Sequence, residues 1–223
     1  MIFAALPERL AQVRAEVARR ASHAVTIVAV TKGFGTDAIR AALDAGLTDI
    51  GENRVQEAVQ KQDALGGLTG IRWHLIGHLQ RNKARVAAGR FELIHSLDSS
   101  ELVQELDRRL TAPQRVLLQV NVAGEEQKSG CMPDEAPALA RQIAACQHLR
   151  LEGLMTLAPF TDDEDVQRRT FRGLRLLRDR IKEEGLWLPT LSMGMSGDYA
   201  SAVAEGATVI RLGTALFGPR ENP

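Results

Sequence analysis

The chain has 223 residues, with 28 basic and 28 acidic side chains, 44% hydrophobic residues and two cysteines. That length suits one large domain or at most two small ones, and it can bury a substantial core without disulfide staples. Balanced charge announces no polyanion-binding surface, Cys131 and Cys146 match no CxxC metal or redox pattern, and no apolar run approaches the roughly 20 residues of a membrane span.

The N-terminus "MIFAALPERLAQVRAEVARR" carries charge within its first ten positions and lacks a long apolar region. No signal peptide is expected, and the protein is read as reduced, soluble and cytoplasmic. From about Pro7 to Arg20, Leu10, Val13 and Val17 recur at helical spacing between arginines and glutamates, which predicts a first helix. After it, apolar strand-like runs alternate with amphipathic helical stretches. In chain order the strands are "VTIVAVTK", "TDIGEN", "IRWHLIG", "FELIHSLD", "RVLLQVNV", "LEGLMTLA", "TLSMGMS" and "TVIRLGTALFG". Between them lie helix candidates such as "TDAIRAALDAG", "RVQEAVQKQDAL", "QRNKARVAAG", "SSELVQELDRRL", "DEAPALARQIAAC", "DVQRRTFRGLRLLRDRIKEEG" and "GDYASAVAEGA". Several begin on Asp, Ser or Thr and end on Gly, the expected helix punctuation.

Strands this uniformly apolar are buried on both faces, which argues for parallel pairing. Eight strand–helix units close into an α/β fold of the (β/α)8 TIM-barrel type, preceded by the N-terminal helix and spanning residues 1–223 as a single domain. A doubly wound open sheet is the alternative, but "TKGFGTDA" matches its GxGxxG turn only in part.

A barrel places its site at the C-terminal ends of the strands. Those ends carry Lys32, Asn53 in "GEN", the pair His74 and His78 in "HLIGH", Ser96 and Asp98, Asn121, Met155 and Thr156, then "SMGMS" and "RLGT". Polar groups gather where each apolar run stops, which favours a ligand site. Lys32 closes the first strand and admits two readings: a lysine snorkelling its ammonium into water, or an amine whose pKa desolvation lowers for Schiff-base chemistry. In "SMGMSGD", Gly194 and Gly197 let backbone approach closely and Ser196 brings a hydroxyl to a helix start. Gly213 and Thr214 offer N–H groups and a second hydroxyl. Each motif alone is ordinary turn chemistry, whereas on adjacent strands the two favour a phosphate. Arg211 lies inside an apolar run and shares a face with Gly213. It needs an acceptor, either an internal carboxylate or a ligand atom.

A lysine, an anion cradle and a buried arginine together suit pyridoxal 5′-phosphate (PLP). The segments "VAVTK", "DIGENRVQE", "WHLIGHLQRNK", "IHSLDS", "VNVAGEEQKSG", "LEGLMTL", "LSMGMSGD" and "VIRLGTALFG" run from Val28 to Gly218. In them the chain resembles the pyridoxal phosphate homeostasis family (the YggS/PROSC type). That resemblance implies a barrel similar to the N-terminal domain of alanine racemase. It implies that Lys32 carries PLP as a Schiff base and that Arg211 faces the pyridine nitrogen. Ser196, Gly213 and Thr214 would bind the phosphate, and Asn53, Ile76 and Met193 would line the ring.

A permanently charged guanidinium opposite the ring nitrogen disfavours its protonation and weakens the ring as an electron sink. Racemisation would then need a second base. Tyr199, placed by its neighbours at a helix start, is the one tyrosine, and no second domain is expected after Pro223. The expectation is therefore a binding module that buffers or carries PLP, with apo PLP-dependent enzymes as possible partners and no catalytic residue. A weak racemase-like PLP enzyme and a cofactor-free Schiff-base aldolase are the rivals. His74 and His78 straddle a strand end and a glycine, so core and surface roles are expected rather than metal ligation. "LQRNKAR" and "RRTFRGLRLLRDR" read as solvated helix faces, not nucleic-acid readers. Lys128 in "GEEQKSG" lies on a charged loop over the barrel mouth, read as solvated, with a transfer or allosteric lysine as the alternative. The lack of an obvious apolar surface helix favours a monomer.

Overall fold

The computed structural model describes residues 3–66 and 68–219. Helix α1 (Leu6–Arg20) comes first, and eight parallel strands follow. They are β1 (Thr26–Val30), β2 (Asp49–Glu52), β3 (Arg72–Leu75), β4 (Leu93–Leu97), β5 (Gln114–Gln119), β6 (Leu149–Met155), β7 (Thr190–Ser192) and β8 (Val209–Leu212). They pair in sequence order, and β8 returns to β1 to close the barrel. Helices α2 (Thr36–Asp44), α3 (Val55–Ala64), α4 (Ala84–Ala87), α5 (Ser100–Arg109), α6 (Ala136–Ala144), α7 (Glu164–Glu183), α8 (Tyr199–Ala204) and α9 (Thr214–Phe217) alternate with them. The chain thus forms the (β/α)8 barrel with a leading helix that its alternating pattern predicts.

Local chemistry places the helix ends. Asp163 accepts hydrogen bonds from the Asp165 and Val166 amides and so caps α7, satisfying donors that the helix cannot. Helix α7 then buries Phe171, Leu174, Leu177 and Ile181 at helical spacing and turns its arginines outward. Two predictions need correction at element ends. The run "TVIRLGTALFG" stops as a strand at Leu212, and Thr214–Phe217 forms a helical turn. The stretch "QRNKARVAAG" is a 3₁₀ turn at Arg81–Lys83 followed by the single turn α4.

Most of the core lies between the strands and the helices, with Ile50, Leu75, Ile94, Leu118 and Ile210 fully buried there. A second, smaller cluster of Leu93, Leu117 and Met155 stands apart from it. The register sets His74 beside both Gly51 and Leu93, and Val28 beside Arg211. Side chains on paired parallel residues share a face, so His74 and Leu93 point the same way. Branched aliphatic residues dominate the interior of most such barrels. Here His74, His95, Ser192 and Arg211 are all buried as well.

Gly194, just beyond β7, has φ +95°, a conformation that L side chains rarely adopt. A Cβ there would stand 2.6 Å from the Ala202 Cβ on α8 and 3.0 Å from the Tyr199 Cα. Gly194→Ala combines backbone strain with overpacking and should lower the unfolding free energy by about 2–4 kcal/mol. Urea denaturation of the variant checks this, and an unchanged midpoint would contradict it.

Candidate functional site

A cavity of about 670 Å³ opens at the C-terminal ends of the strands. Of the eight site residues expected from sequence, Lys32, Asn53, Ile76, Ser196, Arg211, Gly213 and Thr214 all line it. Met193 does not. Its side chain is fully buried in the layer between strands and helices.

Lys32 sits on the short strap that follows β1, and its flanks are clamped. The Thr31 hydroxyl donates to Glu52 Oε1 at 2.5 Å, and the Gly33 amide donates to Glu57 Oε1 at 2.8 Å. Lys61, only 7% exposed, joins the two. Its ammonium donates to the Thr31 carbonyl at 2.8 Å, to Glu52 at 2.7 Å and to Glu57 at 2.7 Å. Burial raises the Glu52 carboxyl above its usual range despite these bonds. Past Lys32, the Phe34 ring packs edge-on to Phe3 and tilted against Phe217 of α9, at 5.8 and 5.4 Å between centroids. The strap bearing the lysine is thereby tied to both β2 and α9.

Asn53 follows β2 directly, and Gly77 packs on its backbone. A Cβ at Gly77 would approach the Asn53 carbonyl oxygen to 2.3 Å, so only glycine fits. On the other wall, Ser196 Oγ accepts hydrogen bonds from the Gly213 and Ala215 amides at 3.2 and 3.1 Å. These amides belong to the first turn of α9, where N–H groups lack helical partners. The hydroxyl and the two amides form a small donor-rich corner beside Thr214.

Arg211 is 3% exposed and forms no ion pair with a carboxylate among the described residues. Its guanidinium donates to Ser192 Oγ at 2.6 Å and to the Thr156 carbonyl at 2.9 Å. Burial lowers its pKa to about 10, opposed by the charge of Asp198, so it stays cationic at neutral pH. Behind it, Ser192 contacts His95, His95 contacts His74, and His74 contacts Asp49. Burial would raise the Asp49 pKa. The hydrogen bonds from His74 and Arg72 outweigh it and bring the carboxyl from 3.8 down to about 2.

The remaining polar strand ends serve the frame. Asn121 closes its own loop through the Glu125 carbonyl at 2.9 Å. Thr156 bonds the Val120 carbonyl at 2.8 Å, and neither residue lines the cavity. His74 is buried in the barrel, whereas His78 is half-exposed in the cavity wall, 3.3 Å from Asp98. Lys128 ties two mouth loops together by donating to the Ala158 carbonyl at 2.9 Å. Sequence reasoning missed Gln119, Asp198 and the segment around Phe160 as lining residues. Asp198 was detectable, since "SGD" ahead of a helix marks it as a cap. Phe160 follows no strand pattern and is fully exposed.

The alanine racemase N-terminal domain family matches residues 5–221. The pyridoxal phosphate homeostasis protein of Pseudomonas aeruginosa is 43% identical over 97% of this chain and 96% of its own. Among solved structures, PipY of Synechococcus elongatus with PLP bound superposes with a TM-score of 0.86 at 39% identity, covering 96% of this chain and all of PipY. PipY without PLP gives a TM-score of 0.88 at 40% identity over the same shares of both chains.

The depressed pKa of Asp49 has a stability consequence. Because the folded value lies below the ordinary one, the stabilisation is present above about pH 4 and is lost as pH falls toward 2. Asp49→Asn should cost roughly 2 kcal/mol at pH 7 and flatten the loss of stability between pH 4 and pH 2. Denaturant titrations across that range check both, and parallel profiles for the two proteins would contradict the assignment.

Proposed function

The chain belongs to the alanine racemase N-terminal domain family and, within it, to the pyridoxal phosphate homeostasis proteins, and from that premise we propose that it binds PLP in the barrel-mouth cavity and takes part in PLP homeostasis. The observation that carries the reading is the convergence of Lys32, the Ser196–Gly213–Thr214 corner and the buried Arg211 on one cavity. Its volume is ordinary for a small-molecule site. The residues fit the group's parts: an amine for an aldehyde, a hydroxyl with helix-turn amides for a phosphate, and a donor for an aromatic nitrogen.

When bound, PLP supplies an aldehyde that condenses reversibly with an amine and releases one water. Lys32 is the amine, held at the rim by the strap that Glu52, Glu57 and Lys61 clamp. Ser196, Gly213 and Thr214 take the phosphate at the α9 turn, where the amides that now donate to the Ser196 hydroxyl point toward an incoming anion. Asn53 and Ile76 flank the ring. Arg211 donates to the ring nitrogen and, remaining charged, disfavours its protonation. Met193 supports the wall from behind rather than touching the ring.

The same arrangement argues against efficient catalysis. An unprotonated ring is a weaker electron sink, and two-sided proton transfer needs a second base across from Lys32. Tyr199 is absent from the cavity wall, and the wall's imidazole, His78, is half-exposed beside Asp98. The role is therefore a cytoplasmic, monomeric holder and carrier of an otherwise reactive aldehyde, handing it to apo PLP-dependent enzymes.

Titration with PLP followed by visible absorbance tests the site. The wild-type protein should develop a yellow band. Lys32→Ala should lack that band and retain PLP at least about tenfold more weakly, and Ser196→Ala should weaken retention about tenfold while keeping the band. Incubation with L-alanine or L-serine should leave the D-isomers undetected. An unchanged band in Lys32→Ala would overturn the lysine, and turnover comparable to dedicated racemases would overturn the carrier role.

A further inference from the structure

Four hydrogen bonds join Arg211 to Asp49 in one line through the barrel. Arg211 Nη1 reaches Ser192 Oγ at 2.6 Å, and Ser192 Oγ reaches His95 Nδ1 at 2.8 Å. His95 Nε2 then reaches His74 Nδ1 at 2.9 Å, and His74 Nε2 reaches Asp49 Oδ1 at 3.0 Å. Ser192 and His95 are fully buried and His74 is 4% exposed. Asp49 opens β2, at the opposite end of the barrel from the cavity, where Arg72 grips its carboxylate at 2.7 and 2.5 Å. Asp49, Arg72 and His74 also line a separate hollow of about 330 Å³ at that end.

The donor and acceptor inventory fixes where the protons lie. A guanidinium only donates, so Ser192 Oγ accepts from Arg211 and turns its own proton toward His95 Nδ1. His95 therefore carries its proton on Nε2 and donates to His74 Nδ1. His74 in turn carries its proton on Nε2 and donates to the Asp49 carboxylate. The opposite polarity would aim two N–H donors at Ser192 Oγ and leave the hydroxyl proton without a partner in a dry interior, which is costly. Burial, with the charge of Arg211, holds His95 well below the ordinary imidazole range, in keeping with a neutral ring. All four bonds thus point from the cation at the cavity to the anion at the far end. Aligned hydrogen bonds of this kind polarise one another.

We propose that Asp49 is a positioning residue of the PLP site: through His74, His95 and Ser192 it orients the Arg211 guanidinium. The inference rests on Arg211 facing the cofactor ring. It assigns a role in the site to four residues that do not touch the ligand, and it makes the closed end of the barrel part of the binding apparatus. It also accounts for two buried imidazoles at positions where barrels ordinarily place aliphatic side chains.

Nitrogen-15 NMR of the histidines in the full chain, with and without PLP, provides the first readout. Neutral Nε2–H tautomers are expected at both His74 and His95, and PLP should move the His95 signals. Absorption spectra of the PLP-loaded protein provide the second. Asp49→Asn and Ser192→Ala, at opposite ends of the line, should shift the bound-cofactor band in the same direction and weaken PLP retention about tenfold. Where Asp49→Asn does not fold, His74→Gln cuts the line one step nearer the cavity and should give the same shift. An Nδ1–H tautomer at either histidine would overturn the proposal. So would a band that moves in Ser192→Ala alone, which would confine the effect to Arg211's immediate neighbour. Wild-type protein that fails to bind PLP at all would overturn the cofactor assignment, and the role of Asp49 with it, whatever the tautomers.

Discussion

A permanent positive charge inside the barrel is the constraint to which the rest of the site answers. Arg211 stands in β8, 3% exposed, where an isolated cation is expensive. A carboxylate beside it would have neutralised the charge and left nothing for a ligand. Instead the guanidinium is held by a hydroxyl and a carbonyl, both neutral, while the Asp198 carboxylate acts on it without forming an ion pair. The cation is thereby tolerated without being consumed, and its field remains available at the cavity wall.

The two ends of the barrel divide the work accordingly. At the closed end, ionic groups are paired and their pKa values move toward the charged forms, as Asp49 with His74 and Arg72 shows. At the open end, the turn amides of α9 donate to the Ser196 hydroxyl, and the strap of Lys32 is fixed through its neighbours. Lys61 is the clearest case of a buried charge spent on geometry. Two carboxylates and a carbonyl surround its ammonium, and together they pin the backbone on both sides of Lys32. Breaking such a cluster leaves an uncompensated buried charge, so the strap and the stability of the frame are coupled.

The fold was legible because the alternation of uniformly apolar runs with helical stripes has few topological solutions. The strand-end rule then picked out residues that the fold brings together: Lys32, Asn53, Ser196, Gly213 and Thr214 line one cavity because each lies just past the end of an apolar run. Met193 falls among those same residues, yet it is fully buried in the hydrophobic core and does not line the cavity. Two features were opaque for a common reason. The line from Asp49 to Ser192 and the clamp around Lys61 both depend on side chains from distant elements meeting in space. His95 and Ser192 are 97 positions apart and 2.8 Å from one another. No local pattern encodes such a pair. A histidine inside "ELIHSL" reads only as a polar interruption of a strand.

Borohydride reduction of the PLP-loaded protein, followed by peptide mapping, addresses the central claim most directly, because it asks which amine the cavity presents. The candidates differ sharply in setting: Lys32 on its clamped strap, Lys128 tied across the mouth loops, and Lys61 buried among carboxylates. A single reduced pyridoxyl adduct on the peptide containing Lys32, absent from Lys32→Ala, is the expected result. An adduct on Lys128 or scattered over surface lysines, with the Lys32 peptide unmodified, would contradict it.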